Sequence, residues 1–385
     1  MPDTPHPKEF LGILKNRLPE MLSTVQKLVI AESPSLEKAP ADRCCDILAA
    51  EWRTRGTRVE RLAQKRHGDQ LRVTWWPQKS RAVGQLLVLG HYDTVYSSGT
   101  LAKMPFRVAA GKAYGPGIFD MKAGIVQALY ALETLQHTKA ALRKRLVFLW
   151  TSDEEIGSDV SRKIIESEAR RSDAVFVLEP SLGPRGLIKT ARKGVGEAEL
   201  IVHGRASHAG LAPEEGVNAI HELSRQLLRV QEWTDLRRGV SVNADVIEGG
   251  TRVNVIAERA RAVLDLRALR VSDMRRIESR LHALRPILRG AKLEVHGGFN
   301  RAPLERKSSA ALFAKAKALA AQMGLPIGEA TAGGGSDGNL TAAVGVPTLD
   351  GLGAVGHGAH SKDEHIVINT MPARTALLAS LLLNC

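Results

Sequence analysis

The stretch Leu86–Val95, which reads LLVLGHYDTV, decides the fold of this chain. Its bulky residues, Leu86–Leu89, end at Gly90, and a short apolar run closed by glycine predicts a buried strand of an α/β sheet. Open α/β sheets bind their ligands just beyond the carboxyl ends of their strands. His91 and Asp93 follow this strand at once. The pair suits a metal ligand with a neighbouring carboxylate that orients it.

Length and composition indicate a globular protein of two domains. The chain has 385 residues, with 44% hydrophobic and 25% charged residues, which exceeds the usual size of a single core and lies near the globular average in composition. No stretch approaches the length of a membrane span. The N-terminal sequence MPDTPHPKEF lacks the pattern of a signal peptide, and the three cysteines are too few for a disulfide framework. We therefore expect a cytoplasmic protein without a membrane partner.

The formal net charge of +13 raises the question of nucleic-acid binding. The basic residues are scattered along the chain, however, and aromatic residues make up only 4% of it. No basic stretch alternates with side chains that could stack on bases. We therefore expect no nucleic-acid partner, and we interpret the charge as a solvated basic surface that could attract anionic substrates.

Around the central strand, predicted strands and helices alternate, which favours a mostly parallel sheet covered on both faces. The predicted strands are 58–62, 70–76, 86–89, 146–151 and 174–178, and the predicted helices are 7–32, 41–55, 123–135 and 160–170.

From about residue 190 the pattern changes to the order β-α-β-β-α-β, which is typical of a ferredoxin-like α+β unit. Its predicted elements are strands at 195–201, 240–247, 259–267 and 291–297, and helices at 216–232 and 272–287. The sheet domain then resumes with helices at 308–323 and 371–383 and a strand at 346–349. We predict an α/β domain of residues 1–189 and 301–385, with an inserted domain of residues 190–300.

Acidic residues and histidines stand at the ends of successive predicted strands. Alone, each would be interpreted as a turn former or a solvated charge, and a strand-end cap is the lesser alternative for Asp93. Together at one edge of a sheet they would repel one another unless a cation neutralised them, and oxygen and imidazole ligands suit Zn²⁺, Mn²⁺ or Co²⁺. The candidates are His91, Asp93, Asp120, Glu154, Glu155 and Glu179, with His357, His360 and His365 in a later loop.

Eight motifs occur in order along nearly the whole chain: GHYDTV at 90–95, GPGIFDMKAG at 115–124, SDEEIGS at 152–158, LEP at 178–180, ASHAG at 206–210, GGTRVNVI at 249–256, DLR at 265–267 and AHSKDE at 359–364. With them the chain resembles the M20 metallopeptidase family, and within it the glutamate carboxypeptidase (carboxypeptidase G2-like) branch. The resemblance implies a catalytic domain of the zinc aminopeptidase-like type, an inserted lid or dimerisation domain, and a homodimer.

The resemblance also implies two divalent metal ions, Zn²⁺ in the first place, with Mn²⁺ or Co²⁺ as alternatives. Asp120 would bridge the two ions. From the residues alone His357, His360 and His365 compete for one ligand position, and the family pattern selects His360. The implied ligands are His91 and Glu179 for one ion, Glu155 and His360 for the other, and Asp120 for both.

We predict that Glu154 is the general base. It would take a proton from a water shared by the two ions and pass it to the leaving amine. Its position next to Glu155 lets the two side chains point in different directions, one toward the water and one toward the metal. Asp93 would accept the ring N–H of His91 and so orient that ligand.

Three residues of the inserted domain match family positions that contact the substrate. His208 would stabilise the developing oxyanion, often in the active site of the other subunit of a dimer. Asn254 and Arg267 would hold the carboxylate of the substrate, because the planar fork of an arginine can bind a carboxylate through two hydrogen bonds.

The sequence therefore predicts a metal-dependent hydrolase that cleaves a peptide or amide bond beside a free carboxylate, in the manner of a glutamate carboxypeptidase. An N-acyl-amino-acid deacylase, similar to acetylornithine deacetylase or an aminoacylase, is the alternative. A non-catalytic binding protein of the same fold would be expected to have lost ligands or base, and all are present. Two further hypotheses are that Arg192 and Lys193 select acidic substrates, and that GGGSDGN at 333–339 lines the substrate pocket or is a simple turn.

Overall fold

The computed structural model describes residues 5–76 and 82–385, and these form two compact units. The first unit runs to Thr190 and resumes over Arg306–Ala332 and Ser336–Cys385, while the second comprises Ala191–Glu305 and Gly333–Gly335. Residues 1–4, the start of the N-terminal stretch that lacks a signal-peptide pattern, lie outside the described residues. Each unit has a hydrophobic core of its own.

The described helices follow the predicted ones with three differences. The predicted N-terminal helix is divided, the helix predicted over 272–287 ends at His282, and a short helix, Asp337–Ala343, was not predicted. The helix predicted over residues 7–32 is two helices that meet at Arg17. Pro19 follows this break, and a proline inside a continuous helix would remove a hydrogen bond and clash with the preceding turn. The helices are α1 (Pro7–Asn16), α2 (Leu18–Ile30), α3 (Lys38–Arg53), α4 (Ala123–His137), α5 (Arg162–Arg170), α6 (Ala219–Gln231), α7 (Val271–His282), α8 (Arg306–Gln322), α9 (Asp337–Ala343) and α10 (Met371–Asn384).

The described strands include every predicted strand, and several short ones besides. They are β1 (Arg58–Leu62), β2 (Gln70–Trp75), β3 (Gln85–His91), β4 (Arg107–Ala109), β5 (Lys112–Tyr114), β6 (Arg145–Thr151), β7 (Ala174–Val177), β8 (Ile188–Arg192), β9 (Gly194–His203), β10 (Ser241–Gly249), β11 (Arg259–Ala268), β12 (Lys292–Arg301), β13 (Glu329–Ala332), β14 (Thr348–Leu349), β15 (Gly356–His357) and β16 (His365–Val367).

The first unit contains a six-stranded sheet in the order β1-β2-β6-β3-β7-β14, which confirms the predicted α/β fold. The strands β6, β3, β7 and β14 run parallel, while β1 and β2 are antiparallel additions at one edge, so the sheet is mixed. Leu86–Leu89 are fully buried in β3, and burying each such side chain stabilises the fold by about 1.5–3 kcal/mol.

The register of the parallel strands brings their carboxyl ends together. His91 at the end of β3 pairs with Thr151 at the end of β6, and Leu89 pairs with Val177 at the end of β7. Gly90, just before His91, lets the end of the Met121 side chain pack closely on the strand, since a Cβ there would lie 2.5 Å from its terminal methyl group. The residues that follow these three strands therefore share one edge of the sheet.

The second unit contains a four-stranded antiparallel sheet in the order β10-β11-β9-β12. Along the chain its elements follow the order β9-α6-β10-β11-α7-β12, which is the predicted ferredoxin-like order. Residues of β9 and β11 alternate between buried and less buried positions, as expected when one face of a sheet packs on helices and the other does not.

A second four-stranded sheet in the first unit, in the order β15-β16-β5-β4, was not predicted. Its strands have only two or three residues each, which is too short for a periodic pattern in the sequence. The sheet anchors both ends of the loop between β15 and β16, which carries His360.

None of the helices in the described part of the chain is long and apolar enough to cross a membrane.

Candidate metal centre

Two groups of three side chains at the edge of the six-stranded sheet could each hold a metal ion. We call His91, Asp120 and Glu179 the buried triad, and Asp120, Glu155 and His360 the exposed triad. Within each triad one possible ligand atom of every residue lies within 4.8 Å of the others. Asp120 belongs to both triads, so two ions held here would be neighbours with one carboxylate between them.

The buried triad is built on strand ends. The Nε2 atom of His91 lies 3.3 Å from Oδ1 of Asp120 and 3.5 Å from Oε1 of Glu179. His91 closes β3, and Glu179 follows β7 after one residue. On its other side the Glu179 carboxylate has the buried Lys189, whose Nζ atom is 3.8 Å from Oε2.

The exposed triad is built on loops. The Nε2 atom of His360 lies 3.0 Å from Oε2 of Glu155 and 3.5 Å from Oδ2 of Asp120. His360 has a φ of 61°, a left-handed conformation that is uncommon for a residue other than glycine. The competing residues His357 and His365 belong to neither triad among the described residues.

The charges of the triads favour a cation between them. Burial alone would lower the pKa of His91, but Asp120, Asp93 and Glu179 raise it well above its usual value. Asp120 and Glu155 likewise raise the pKa of His360 to about 10, against a smaller effect of burial. The raised pKa values reflect the negative charge that the carboxylates concentrate at the triads, which a bound divalent ion would balance.

Unpaired polar atoms indicate the same site. The Nε2 atom of His91 and the Oδ1 atom of Asp120 are buried, and neither has a hydrogen-bond partner within the described ranges. Burying a polar atom without a partner costs free energy, and a metal ion between the two atoms would remove that cost. The donor set of carboxylate oxygens and imidazole nitrogens fits Zn²⁺, Mn²⁺ or Co²⁺.

Asp93 has more contacts than the sequence suggested. The Nδ1 atom of His91 is 3.1 Å from the main-chain oxygen of Asp93 and 3.4 Å from its Oδ1 atom, so both groups hold the ring. The same carboxylate accepts long hydrogen bonds from the main-chain nitrogens of Glu154, at 3.4 Å, and Glu155, at 3.3 Å. Asp93 thus fixes one ligand of the buried triad and the short turn that carries Glu154 and Glu155.

Ser35 is a residue of the site that the sequence did not point to. Its hydroxyl is buried and donates to Oδ2 of Asp93 at 2.7 Å. Ser35 belongs to the Ser-Pro-Ser turn after α2, which looks in the sequence like an ordinary helix end. No local pattern indicates that this turn contacts Asp93, because 58 positions separate the two residues.

Glu364 was also missed, although it lies in the AHSKDE motif. Its carboxylate is fully buried and accepts hydrogen bonds from the main-chain nitrogens of Gly117, Phe119 and Asp120, and from the hydroxyl of Tyr96. It therefore binds the irregular segment that carries Asp120.

The predicted substrate residues lie in the second unit. The structure places His208 next to Asn254 through main-chain hydrogen bonds, since the nitrogen of Ala209 donates to the oxygen of Asn254 at 3.0 Å. His208 is exposed, and its Nδ1 atom accepts from the main-chain nitrogens of Gly210 and Leu211. The imidazole is therefore oriented by its own turn.

Arg267 lies on β11 of the same unit and already has a carboxylate partner. Its Nε and Nη2 atoms donate to Asp265, two residues earlier on the same strand, at 2.7–3.0 Å. One edge of the guanidinium is thus occupied by Asp265. A substrate carboxylate would have to bind the Nη1 side or displace Asp265.

The two remaining sequence features have structural contacts. The guanidinium of Arg192 is buried, and its Nη1 atom donates to the main-chain oxygens of Gly334 and Gly335. These contacts favour a role for Arg192 in holding the glycine-rich turn. The half-buried Lys193 then remains the candidate for selecting acidic substrates. The same turn starts α9, where Ser336 and Asn339 form a capping box.

Comparison with known proteins gives the family. The model of Peptidase family M20/M25/M40 matches residues 87–384. Carboxypeptidase G2 of Pseudomonas sp. (strain RS-16) is 33% identical over 377 residues, which cover 95% of this chain and 89% of that protein. Succinyl-diaminopimelate desuccinylase of Paraburkholderia xenovorans (strain LB400) is 30% identical over 304 residues, covering 74% of this chain and 79% of that protein.

A solved structure agrees with the fold. Aminopeptidase PepT of Bacillus cereus superposes with a TM-score of 0.78 at 21% identity, covering 95% of this chain and 98% of that one. The predicted family is thus confirmed, and the identity to carboxypeptidase G2 supports the predicted branch. The chain belongs to peptidase family M20/M25/M40 and is a metal-dependent hydrolase of peptide or amide bonds.

Proposed function

We propose that this enzyme is a carboxypeptidase of the glutamate carboxypeptidase type, which releases a C-terminal amino acid by hydrolysis. The observation that carries the proposal is the pair of triads that share Asp120. We assign the two triads as ligands of two divalent ions, with Zn²⁺ as the first choice and Mn²⁺ or Co²⁺ as alternatives. When bound, such a pair of ions makes water a better nucleophile and stabilises negative charge in the transition state.

Glu154 is the proposed general base. It stands on a short turn, Glu154–Ile156, which follows β6 after two residues. Glu155, a member of the exposed triad, is its neighbour on this turn, while Glu154 belongs to neither triad. In this role Glu154 accepts a proton from the attacking water and gives it to the nitrogen of the leaving amine. The main-chain hydrogen bonds to Asp93 hold the turn in place.

His208, Asn254 and Arg267 are the proposed substrate contacts. His208 and Asn254 lie on adjoining segments, which are joined by the main-chain hydrogen bond from Ala209 to Asn254. We assign His208 to the developing oxyanion and Arg267 to the substrate carboxylate. Asn254 lies near the start of β11 and Arg267 near its end, so Asn254 would bind that carboxylate from the second copy of a dimer. Since Asp265 occupies the Nε–Nη2 edge of Arg267, we expect the substrate to bind the Nη1–Nη2 edge.

A deacylase that removes an acyl group from an amino acid is the second candidate. It is favoured by the desuccinylase relative, which is 30% identical over 74% of this chain. Both reactions cleave an amide bond beside a carboxylate and would use the same base. They differ in whether the larger group lies on the acyl side or the amine side of the bond.

A substrate panel tests the proposal. Purified enzyme with added Zn²⁺, Mn²⁺ or Co²⁺ is assayed on acyl-glutamates, dipeptides, N-acetyl amino acids and N-succinyl amino acids. Preference for a C-terminal glutamate across different acyl groups supports the carboxypeptidase, and preference for one short acyl group across different amino acids supports the deacylase. Hydrolysis of none of them would contradict both.

The role of Glu154 is tested in the same assay. The isosteric change Glu154→Gln should lower kcat by about 10²–10⁴-fold, the usual contribution of a general acid or base, while two equivalents of metal remain bound. Asp159→Asn is the matched control, because Asp159 is an exposed carboxylate in the same loop. A Glu154→Gln variant with full activity would rule out this base.

We also propose that the second unit, with residues 190–300 as its predicted range, serves for dimerisation. The strand β10 lies at an edge of its sheet, and its residues 243–249 are exposed. Val246 and Ile247 are exposed there, Leu228 is exposed on α6, and an open groove of about 590 Å³ is lined by residues of both the helix and the strand. An uncovered edge strand with apolar side chains is suited to pairing with a second copy.

The dimer can be tested by light scattering at several concentrations. Ile247→Lys should shift the mass from dimer to monomer, whereas Leu236→Lys, which changes an exposed leucine on a turn of the same unit, should not. A wild type that stays monomeric would contradict the proposal.

The predicted cytoplasmic location remains a proposal, and it is supported by three free cysteines, which are typical of reducing compartments.

A further inference from the structure

The buried carboxylate of Glu364 connects the two loops that supply Asp120 and His360. Its Oε1 atom accepts from the nitrogens of Phe119, at 2.8 Å, and Asp120, at 3.0 Å, and its Oε2 atom accepts from the nitrogen of Gly117, at 3.0 Å. Glu364 itself stands four residues after His360. One side chain therefore spans the distance between the two loops.

The segment around Asp120 needs an external acceptor. Asp120 has a φ of −115° and a ψ of 91°, which are not helical values, and Gly117 has a left-handed φ of 69°. Main-chain N–H groups in such a segment lose their regular helical partners and must find others when buried. Three of them find the Glu364 carboxylate, so the position of Asp120 depends on it.

The loop around His360 is held from the same carboxylate. The Tyr96 hydroxyl donates to Oε2 of Glu364 at 2.7 Å and lies 3.0 Å from the main-chain oxygen of Ser361. The main-chain nitrogen of Glu364 in turn donates to the oxygen of Ser361 at 3.2 Å. Since His360 has an unfavourable positive φ, its conformation persists only if its surroundings fix it.

We propose that Glu364 is a positioning residue for the exposed triad, and that it sets the metal affinity of this triad far more than that of the buried triad. The inference rests on the proposed two-ion centre. Two ligands of the exposed triad, Asp120 and His360, lie on the loops that Glu364 joins. In the buried triad, by contrast, His91 and Glu179 are fixed by the strands β3 and β7.

The test compares metal binding rather than turnover. Metal-free protein is titrated with Co²⁺, with calorimetry and visible absorption as readouts. The titration is done at about pH 8, well above the ordinary pKa of a glutamate. Wild type is expected to bind two equivalents. In Glu364→Gln the amide NH₂ would face main-chain donors, and the second equivalent should bind roughly 10–100-fold more weakly. The first equivalent should weaken by a smaller factor, because only one of its three ligands, Asp120, lies on a loop that Glu364 holds.

Two variants keep the result interpretable. Asp363→Asn is the matched control, because it removes a carboxylate from the exposed neighbouring position and should leave both equivalents unchanged. Tyr96→Phe removes only the hydroxyl that contacts Glu364, and it should weaken the second equivalent by a smaller factor, below about tenfold. If Glu364→Gln fails to fold, Tyr96→Phe decides the question.

The outcomes separate this inference from the function on which it rests. Equal weakening of both equivalents in Glu364→Gln, or no weakening in a folded variant, would overturn the positioning role while leaving the enzyme's proposed function intact. The same holds for an unchanged Tyr96→Phe if Glu364→Gln does not fold. A wild type that binds fewer than two equivalents would contradict the two-ion centre itself, and the inference with it.

Discussion

The buried triad and the exposed triad share Asp120 and a similar set of ligand atoms, yet they stand on different kinds of structure. His91 and Glu179 follow neighbouring parallel strands, and the His91 side chain is only 2% exposed. Glu155 lies on a short turn and His360 on a loop, where its side chain is 50% exposed. Sites on strands are held more firmly than sites on loops, and charges interact more strongly away from water.

This contrast leads us to expect two unequal metal positions. The buried triad should hold its ion tightly and exchange it slowly, and the exposed triad should exchange its ion with solvent. In such an arrangement similar ligand atoms give one metal position that keeps its ion and one whose occupancy depends on the metal concentration. Each of the following changes is chosen to test whether the inequality comes from the surroundings of the triads.

Asp120→Ala should have the largest effect, because Asp120 is the one residue that the two triads share. Both ions should be lost and hydrolysis should fall to the background rate, since neither triad retains its bridging carboxylate. Metal content measured by mass spectrometry, together with turnover, checks the result. A variant that keeps one full equivalent would show that the triads are independent.

Removing one histidine from each triad should give unequal losses. His91→Ala should release the tightly held ion, and His360→Ala should release the exchangeable one and leave a single tight equivalent. Each loss should exceed the roughly 10–100-fold that removing an outer partner of a ligand costs. Competition with a chelator measures both affinities. If His360→Ala instead weakened the tight equivalent, the assignment of buried and exposed positions would be reversed.

The members of the triads could be named from the sequence because each follows a recognisable strand or motif. His91 ends an apolar run, Glu155 follows the apolar strand β6, and Glu179 follows the apolar strand β7. Parallel strands place such residues at one edge whatever their separation in the chain. His360 required more, since three histidines were available in its loop and only the family pattern separated them.

The supporting contacts could not be named from the sequence, because they join residues that are far apart in it. Ser35 and Asp93 are 58 positions apart, and Glu364 and Asp120 are 244 positions apart. Each contact is set by how the loops pack, and a serine or a glutamate has no local feature that reveals such packing. The strand β16, which holds one end of the His360 loop, left no periodic signal because it has only three residues.

Asp93→Asn should affect both triads, but less than the loss of a ligand. Asp93 contacts the ring of His91 and accepts from the main chain of Glu154 and Glu155, and an amide NH₂ in place of one oxygen would face those donors. We expect metal affinity or kcat to fall roughly 10–100-fold. Titration and steady-state kinetics check this. Weakening of the tight equivalent alone would mean that Asp93 acts only through His91.

Ser35→Ala should have the smallest effect. It tests whether the hydrogen bond from Ser35 to Asp93 contributes to metal binding by the buried triad. The lost donor leaves Oδ2 of Asp93 with weaker hydrogen bonds, at 3.3 Å from Glu155. A buried hydrogen bond to a charged group contributes about 1.5–3 kcal/mol, so the free energy of unfolding should fall by that amount. Metal affinity should fall less than about tenfold, because the main-chain oxygen of Asp93 still holds the ring of His91.

Ser33→Ala provides the control for Ser35→Ala. Ser33 is equally buried in the same turn, but its hydroxyl donates to the main-chain oxygen of Tyr92 rather than to a carboxylate. Both variants should lose stability in urea denaturation, and only Ser35→Ala should lose metal affinity as well. If the two variants changed metal binding equally, the effect of Ser35→Ala would come from the lower stability of the turn. Ser35 would then have no specific role in positioning Asp93.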